Sequence, residues 1–203
     1  MTNSETRRKW DAAAGLFDLV GAFGAERRWT PVKRRLFSGM EGRVLFVAVG
    51  TGLDIASFPP GSDITGIDIS PKMLAKAEPR AANYPGTLSL HVMDVHEMSF
   101  PDASFDQVHT SCTFCSVPDP VGGLQALRRV LKPGGRLRMF EHTGSRIFPF
   151  NAMLNLMNPI ARRLGPEINR DTVANVRAAG FEITCVTNIF LDVVKTIEAT
   201  APA

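Results

Sequence analysis

Apolar and polar positions follow one another along the chain in blocks that predict alternating strands and helices. Short apolar runs predict five buried strands, at residues 43–49, 64–69, 88–93, 105–111 and 136–141. Helical spacing, capping residues and glycine or proline stops predict the helices, at residues 70–82, 121–131, 146–164 and 171–179. Two more strand-like runs, residues 182–189 and 191–198, have only a short connection between them.

This order of elements predicts an α/β fold. Strands that alternate with helices pair in parallel through right-handed crossovers. Two strands with a short connection pair antiparallel. We therefore expect a doubly wound, mostly parallel seven-stranded sheet that ends in a C-terminal antiparallel hairpin.

The N-terminal part of the chain has a different pattern. Residues 5–40 predict helices, with one apolar face formed by Leu16, Leu19, Val20 and Phe23. Eight of the chain's Lys and Arg residues lie within the first 35 positions, against four Asp and Glu. We expect residues 1–40 to form a helical lid or cap and residues 41–203 to form the single main domain.

Composition narrows the class of protein. A chain of 203 residues with 44% hydrophobic and 21% charged residues is typical of a single globular domain. The three cysteines, Cys112, Cys115 and Cys185, form no paired framework, and the C-x-x-C spacing has no second pair to complete a metal site. No signal peptide and no apolar stretch of about 18 residues is visible, so we expect a cytoplasmic protein without a metal.

The ends of the first three strands carry candidate ligand-binding residues. In doubly wound sheets, ligands bind beyond the carboxyl ends of the strands, where the strand order reverses. Gly50 and Gly52 follow the first strand and allow close approach of the backbone to a ligand. Asp68 ends the second strand, where a carboxylate accepts hydrogen bonds from ribose hydroxyls, and Asp94 ends the third. The alternative for either aspartate is a turn or cap residue.

Four segments in this order resemble the motifs of the class I S-adenosylmethionine methyltransferases. They are V-L-F-V-A-V-G-T-G from Val44, G-I-D-I-S-P-K-M-L from Gly66, M-D-V-H-E-M-S-F-P-D-A-S-F-D from Met93 and R-R-V-L-K-P-G-G from Arg128. The resemblance implies the Rossmann-like methyltransferase fold and S-adenosylmethionine as the cofactor. It also implies a set of cofactor-binding residues: Val49, Gly50, Thr51, Gly52, Asp68, Ile69, Met73, Asp94, Val95 and Ser111.

Two positions depart from the family pattern. The family usually has an acidic residue where Phe46 stands and a glycine where Ala48 stands. The acidic residue normally organises the glycine loop and the ammonium group of the cofactor, so a cofactor-binding protein without methylation activity is an alternative of another class. A nicotinamide dehydrogenase is disfavoured. That class has the pattern G-x-G-x-x-G, and here Asp54 and Ile55 come after Gly52 with no third glycine.

The second half of the chain bears on the methyl acceptor. The segment S-C-T-F-C-S-V-P-D-P from Ser111 and the Glu141–His142 pair resemble bacterial phospholipid N-methyltransferases and membrane-associated thiol methyltransferases. The run W-D-A-A-A-G-L-F-D-L-V from Trp10 resembles the closing segment of phospholipid and quinone methyltransferases, with Phe17 in place of the usual tyrosine. A phospholipid amine is therefore favoured, and the alternatives are a thiol or a quinone precursor that is methylated on carbon.

Glu141 and His142 are the candidate catalytic residues. They lie at the carboxyl end of the fifth strand, and since strand side chains alternate, we expect one of them to face the cavity. His142 has the residue type to take a proton from an acceptor. A structural role at the strand end is the alternative.

Residues 146–164 predict an amphipathic helix with an arginine at one end and two near the other. The two interpretations are a helix that covers the sheet and a lid that binds a lipid-like acceptor at an anionic membrane surface. Nucleic acid is not an expected partner, because the D/N-P-P-Y motif is absent after the fourth strand and no basic-aromatic patch appears.

Overall fold

The computed structural model describes residues 2–18 and 25–203. Its strands are β1 (Arg43–Val47), β2 (Asp63–Asp68), β3 (Thr87–Val92), β4 (Phe105–Ser111), β5 (Leu131–His142), β6 (Glu182–Phe190) and β7 (Val194–Thr200). The α-helices within the described residues are α1 (Asn3–Ala13), α2 (Ala25–Phe37), α3 (Pro71–Ala82), α4 (Pro120–Val130), α5 (Phe150–Leu164) and α6 (Thr172–Ala178).

The seven strands form one sheet in the order β3-β2-β1-β4-β5-β7-β6. Neighbouring strands from β3 to β5 are parallel, while β7 is antiparallel to both β5 and β6. The predicted fold class, with its C-terminal antiparallel hairpin, is confirmed. The order reverses between β1 and β4, and this is where ligands bind in sheets of this type.

Two apolar cores lie on the two faces of the sheet, as a doubly wound fold requires. On one face, Leu45 and Val108 pack with Leu124 and Leu127 of α4. On the other face, the core contains Phe46 of β1 together with residues of α2 and α3, including Phe37, Leu74 and Ala77. Burial of alternate β1 side chains on opposite faces fixes the register of the central strand.

Several element boundaries differ from the predicted ones. β1 ends at Val47 rather than at residue 49, since Ala48 has a left-handed backbone with φ of 59° and turns the chain out of the sheet. β7 begins at Val194 rather than at residue 191, because Leu191, at φ of 48°, lies in the turn. In the N-terminal region, where helices were predicted, the described residues contain α1 and α2; Leu19, Val20 and Phe23 of the predicted apolar face lie outside the described residues.

The left-handed conformation of Ala48 gives a first prediction. Replacement of Ala48 by glycine is expected to raise the free energy of unfolding by about 1 kcal/mol, because a Cβ destabilises this conformation and glycine lacks one. Urea denaturation measures the change. The matched variant Ala161→Gly, inside α5, is expected to lower the same quantity by about 1 kcal/mol. Destabilisation by Ala48→Gly would contradict the prediction.

None of the helices in residues 2–18 and 25–203 has both the length and the apolar content to cross a bilayer.

Candidate active site

A cavity of about 300 Å³ lies at the carboxyl ends of β1, β2 and β4. This volume is at the lower end of the range for small-molecule sites, roughly 300–1,000 Å³. All ten residues predicted to bind the cofactor belong to the cavity wall or to its glycine loop. Nine of them are lining residues: Val49, Gly50, Thr51, Asp68, Ile69, Met73, Asp94, Val95 and Ser111.

The tenth residue, Gly52, lies in the glycine loop and packs closely against Ile55 and Ala77. It has φ of 84°, and a Cβ at this position would lie 2.8 Å from the Ile55 side chain and 3.2 Å from the Ala77 backbone. Gly50 also has a positive φ, of 58°, but a Cβ there would meet no atom within 4 Å. The loop thus needs glycine at residue 52 for packing, whereas Gly50 leaves open space at the cavity.

Asp68 connects the glycine loop to the start of α3. One carboxylate oxygen accepts a hydrogen bond from the Gly50 amide at 2.8 Å, and the other accepts one from the Ser70 amide at 2.8 Å. Burial raises the pKa of Asp68 above its ordinary value, against these two hydrogen bonds, which lower it. Each oxygen retains a further acceptor position, and the residue lines the cavity, so it fits the two hydroxyls of a ribose.

The adenine side of the predicted site is formed by α3 and by the turn after β3. The Ser70 side chain caps α3 and accepts from the Met73 amide at 3.1 Å, which brings Met73 to the cavity wall. Asp94 accepts a hydrogen bond from the His96 amide and lies 2.8 Å from Nδ1 of the same histidine. Burial lowers the pKa of His96, but its contacts with Asp119 and Asp94 raise it overall.

The N-terminal segment contacts the glycine loop and α3. Asp11 of α1 accepts a hydrogen bond from the Ser70 hydroxyl at 2.6 Å, and Asp18 accepts one from the Thr51 hydroxyl at 2.5 Å. Trp10 and Phe17 belong to the cavity wall. The segment therefore supplies aromatic walls to the cavity.

The structure places neither Glu141 nor His142 on the cavity wall, although one was expected there. The loop after β4 folds over the end of β5, with the Cys112 amide donating to the Phe140 carbonyl at 2.7 Å. Glu141 is fully buried below this loop, where its carboxylate accepts from the Thr110 hydroxyl and from the amides of residues 113 and 114. Burial lowers the pKa of His142.

The buried Glu141 carboxyl predicts how the free energy of unfolding depends on pH. Burial raises its pKa from 4.5 to about 7, so between these pH values the folded state binds more protons than the unfolded state. The free energy of unfolding therefore falls as pH rises from about 4.5 to about 7, by about 3 kcal/mol for this group. In Glu141→Gln this part of the pH dependence is expected to disappear in urea denaturation, whereas the exposed control Glu182→Gln keeps it. Equal slopes in wild type and Glu141→Gln would contradict the assignment.

Sequence patterns did not identify two charged residues in the cavity wall. Lys33 of α2 and Asp54, in the short 3-10 helix Leu53–Ser57, line the cavity and form a salt bridge of 2.8 Å. Asp54 had a signal, since it follows the glycine loop by two residues. Lys33 had none, because no spacing in the sequence relates it to the loop.

Packing explains one of the two departures from the family pattern, and backbone conformation describes the other. Phe46 is fully buried and packs against Phe58 at 4.7 Å and Phe37 at 5.5 Å between ring centroids. An aromatic cluster therefore occupies the space where the family usually has a carboxylate. Ala48, where the family usually has a glycine, lines the cavity and has a left-handed backbone, a conformation that favours glycine.

Comparison with known proteins agrees with this geometry. Residues 45–139 match a methyltransferase domain family. The chain contains a methyltransferase domain. Among curated relatives of this chain, a ubiquinone/menaquinone biosynthesis C-methyltransferase from Geotalea daltonii is 35% identical over 151 residues, covering 70% of this chain and 64% of the relative. A phosphatidylethanolamine N-methyltransferase from Cereibacter sphaeroides is 36% identical over 103 residues, covering 50% of this chain and 51% of the relative.

Solved structures confirm the methyltransferase fold. A methyltransferase from Methanosarcina mazei, described as SAM-dependent, has a TM-score of 0.64 and 22% identity, with 83% of this chain and 96% of that one covered. The cyclase SpnF has a TM-score of 0.77 and 18% identity, with 100% and 98% covered. The chain spans less than two thirds of the length of the quinone relative from Geotalea daltonii. The methyltransferase domain implies S-adenosylmethionine, the predicted cofactor. Among the described residues, no group of His, Cys, Asp and Glu is placed to hold a metal ion.

Proposed function

We propose that this protein transfers the methyl group of S-adenosylmethionine to a lipid-like acceptor, and that this acceptor is a ring carbon of a quinone precursor. The cavity supports methyl transfer because it combines Asp68, with its remaining acceptor positions, and a largely apolar wall. The quinone C-methyltransferases, similar over more of the chain than the phospholipid enzyme, support the acceptor. This reverses the order favoured by the sequence, which placed a phospholipid amine first.

When bound, the cofactor supplies an electrophilic methyl group on a sulfonium. The residues of this chain then have three tasks. Asp68 binds the ribose, and Ile69, Met73 and Val95 pack beside the adenine. Trp10 and Phe17 close the N-terminal side and exclude water, which favours transfer to the acceptor over solvent.

Polar groups after β4 are suited to orient the acceptor. Ser111, Thr113 and Ser116 line the cavity, together with Cys112. Glu141 fixes this loop through the hydrogen bonds to residues 113 and 114, so we assign it a positioning role. His142 and Glu141 both lie off the wall, and in this proposal neither contacts the acceptor. The new bond joins the methyl group to the ring carbon, the thioether product leaves, and the proton lost from that carbon is released to solvent after the transfer.

Transfer of labelled methyl groups tests the proposed acceptor. The full chain is incubated with methyl-labelled S-adenosylmethionine and, in separate reactions, with a reduced demethylated naphthoquinone, phosphatidylethanolamine or a small alkyl thiol. We expect label in the naphthoquinol. Label in phosphatidylethanolamine alone would favour the phospholipid activity, and label in the thiol alone a thiol methyltransferase. Cofactor binding without label in any acceptor would indicate a protein that binds S-adenosylmethionine without methylating these substrates.

The surface formed by α5 and the residues before it supports access to a membrane-bound acceptor. Phe148 is 79% exposed, Leu156 80% and Ile160 66%, and further exposed apolar side chains accompany them: Ile147, Met153 and Met157. Monomeric proteins seldom leave such a row of large apolar groups in water. We name these six residues the α5 apolar surface.

Positive charge adjoins this surface. Arg162 and Arg163 occupy the last turn of α5, and Lys9 of α1 donates to the Arg162 carbonyl at 2.8 Å, which brings the basic α1 beside them. An amphipathic helix with basic neighbours suits an anionic lipid surface, where apolar groups insert and cations remain at the headgroups. The proposed location is therefore peripheral, at an anionic membrane.

Vesicle sedimentation tests this location. The double variant Leu156→Glu/Ile160→Glu is expected to bind vesicles containing phosphatidylglycerol at least about 10-fold more weakly, because two apolar side chains no longer insert. The control Val186→Glu changes an exposed valine on β6 and is expected to bind like wild type. Wild-type binding that does not depend on salt concentration or lipid charge would contradict the proposal, and so would the absence of binding.

A further inference from the structure

Lys33 and Asp54 form a buried ion pair in the wall of the cofactor cavity. Their Nζ and Oδ1 atoms are 2.8 Å apart, and their side chains are 4% and 15% exposed. Lys33 is held from the other side by the Phe140 ring, whose centroid is 5.5 Å from Nζ. Both residues line the cavity, so a ligand there can contact them.

The ion pair lies on the β4 side of the glycine loop. Asp54 follows Gly52 by two residues, and Lys33 reaches it from α2. Lys33 lies against Phe140 of β5, the strand next to β4 in the sheet. Asp68, by contrast, lies at the end of β2. The pair and the ribose-binding carboxylate therefore flank the loop on opposite sides.

Removing two charges from water opposes folding, and a pair of apolar residues of similar size often stabilises a protein at least as well. A ligand-binding role explains why this pair is in the cavity. The position in β1 from which the family usually presents a carboxylate holds Phe46, which faces the aromatic cluster with Phe37 and Phe58. Asp54 is thus a carboxylate in the cavity wall next to the glycine loop, supplied from a different element.

We propose that Lys33 and Asp54 bind the amino-acid end of S-adenosylmethionine, with Lys33 contacting its carboxylate and Asp54 its ammonium group. This inference rests on the proposed cofactor. A zwitterion presents one positive and one negative group close together, which matches the two charges of the pair. Asp54 takes over the task that the family assigns to the position of Phe46.

Binding of two related ligands separates this role from a structural one. S-adenosylhomocysteine contains adenosine and the amino-acid end, whereas 5′-methylthioadenosine contains adenosine without it. Calorimetric titrations of both ligands are made with wild type, Lys33→Met, Asp54→Asn and the double variant Lys33→Met/Asp54→Leu. The double variant leaves no unpaired buried charge, so we expect it to stay folded even if a single variant unfolds. Arg136→Met removes an exposed ion-pair partner and serves as the control.

We expect each variant of the pair to weaken S-adenosylhomocysteine binding about 10- to 100-fold, the loss of one or two charged hydrogen bonds. Binding of 5′-methylthioadenosine is expected to change less than about 3-fold, within the scatter of such contacts. Equal losses for both ligands would assign the pair a structural role, and unchanged S-adenosylhomocysteine binding would remove it from the site. If wild type binds neither ligand, the proposed cofactor fails rather than the ion-pair assignment alone.

Discussion

Replacement of Asp68 by alanine is expected to weaken binding of S-adenosylmethionine about 100-fold or more. The carboxylate is placed to accept hydrogen bonds from two ribose hydroxyls. Hydrogen bonds to a charged group contribute about 1.5–3 kcal/mol each. It also holds the Gly50 and Ser70 amides, each at 2.8 Å. Its removal leaves the glycine loop without its link to the start of α3. Isothermal titration calorimetry measures the affinity directly.

The control for this variant lies on the same strand. Asp63 is exposed at the opposite end of β2, so Asp63→Ala is expected to bind the cofactor like wild type. Thermal denaturation of both variants distinguishes lost binding from lost folding. An Asp68→Ala protein that is folded and retains wild-type affinity would show that the ribose is not bound here.

Phe46→Asp, which introduces the residue type common in the family, is expected to lower the free energy of unfolding by about 4 kcal/mol or more. The ring is fully buried, and its neighbours are the aromatic side chains of Phe37 and Phe58. An aspartate there leaves a cavity and an unpaired charge, and each effect alone is among the largest that point mutations produce. Urea denaturation, or the absence of a cooperative transition, reports the loss.

Phe46→Leu is the matched control, since it keeps the site apolar. We expect it to lower the free energy of unfolding by about 1–2 kcal/mol and to leave cofactor binding intact, because Phe46 faces the core rather than the cavity. If Phe46→Asp were as stable as Phe46→Leu, the aromatic cluster would not explain the missing carboxylate. If it also bound the cofactor more tightly, the assignment of Asp54 to the ammonium group would lose its support.

Local sequence signals predicted the parts of the site that depend on neighbouring residues. The glycines of the loop, Asp68 at the end of β2, and the Ser70 cap of α3 each follow from a strand, turn or helix start within a few residues. The parallel sheet then brings the strand ends together. For this reason, residues predicted from separate sequence segments lie together at one cavity.

Contacts between distant segments account for what the sequence did not predict. Strand alternation indicated that Glu141 or His142 faces the cavity. The loop after β4 covers the end of β5 instead, and two of its backbone amides donate hydrogen bonds to the Glu141 carboxylate. Lys33 reaches the cavity from α2 across the glycine loop, and only the packing of α2 on the sheet determines this. Neither arrangement leaves a periodic or spaced pattern along the chain.

Titration of S-adenosylmethionine into the wild-type chain tests the central claim most directly. We expect one molecule to bind per chain in isothermal titration calorimetry, with the demethylated product competing for the same site. A rise in the unfolding temperature with cofactor concentration is the accompanying effect of binding to the folded state. The absence of both a heat of binding and thermal stabilisation, with either compound, would contradict the assignment of this cavity to the cofactor.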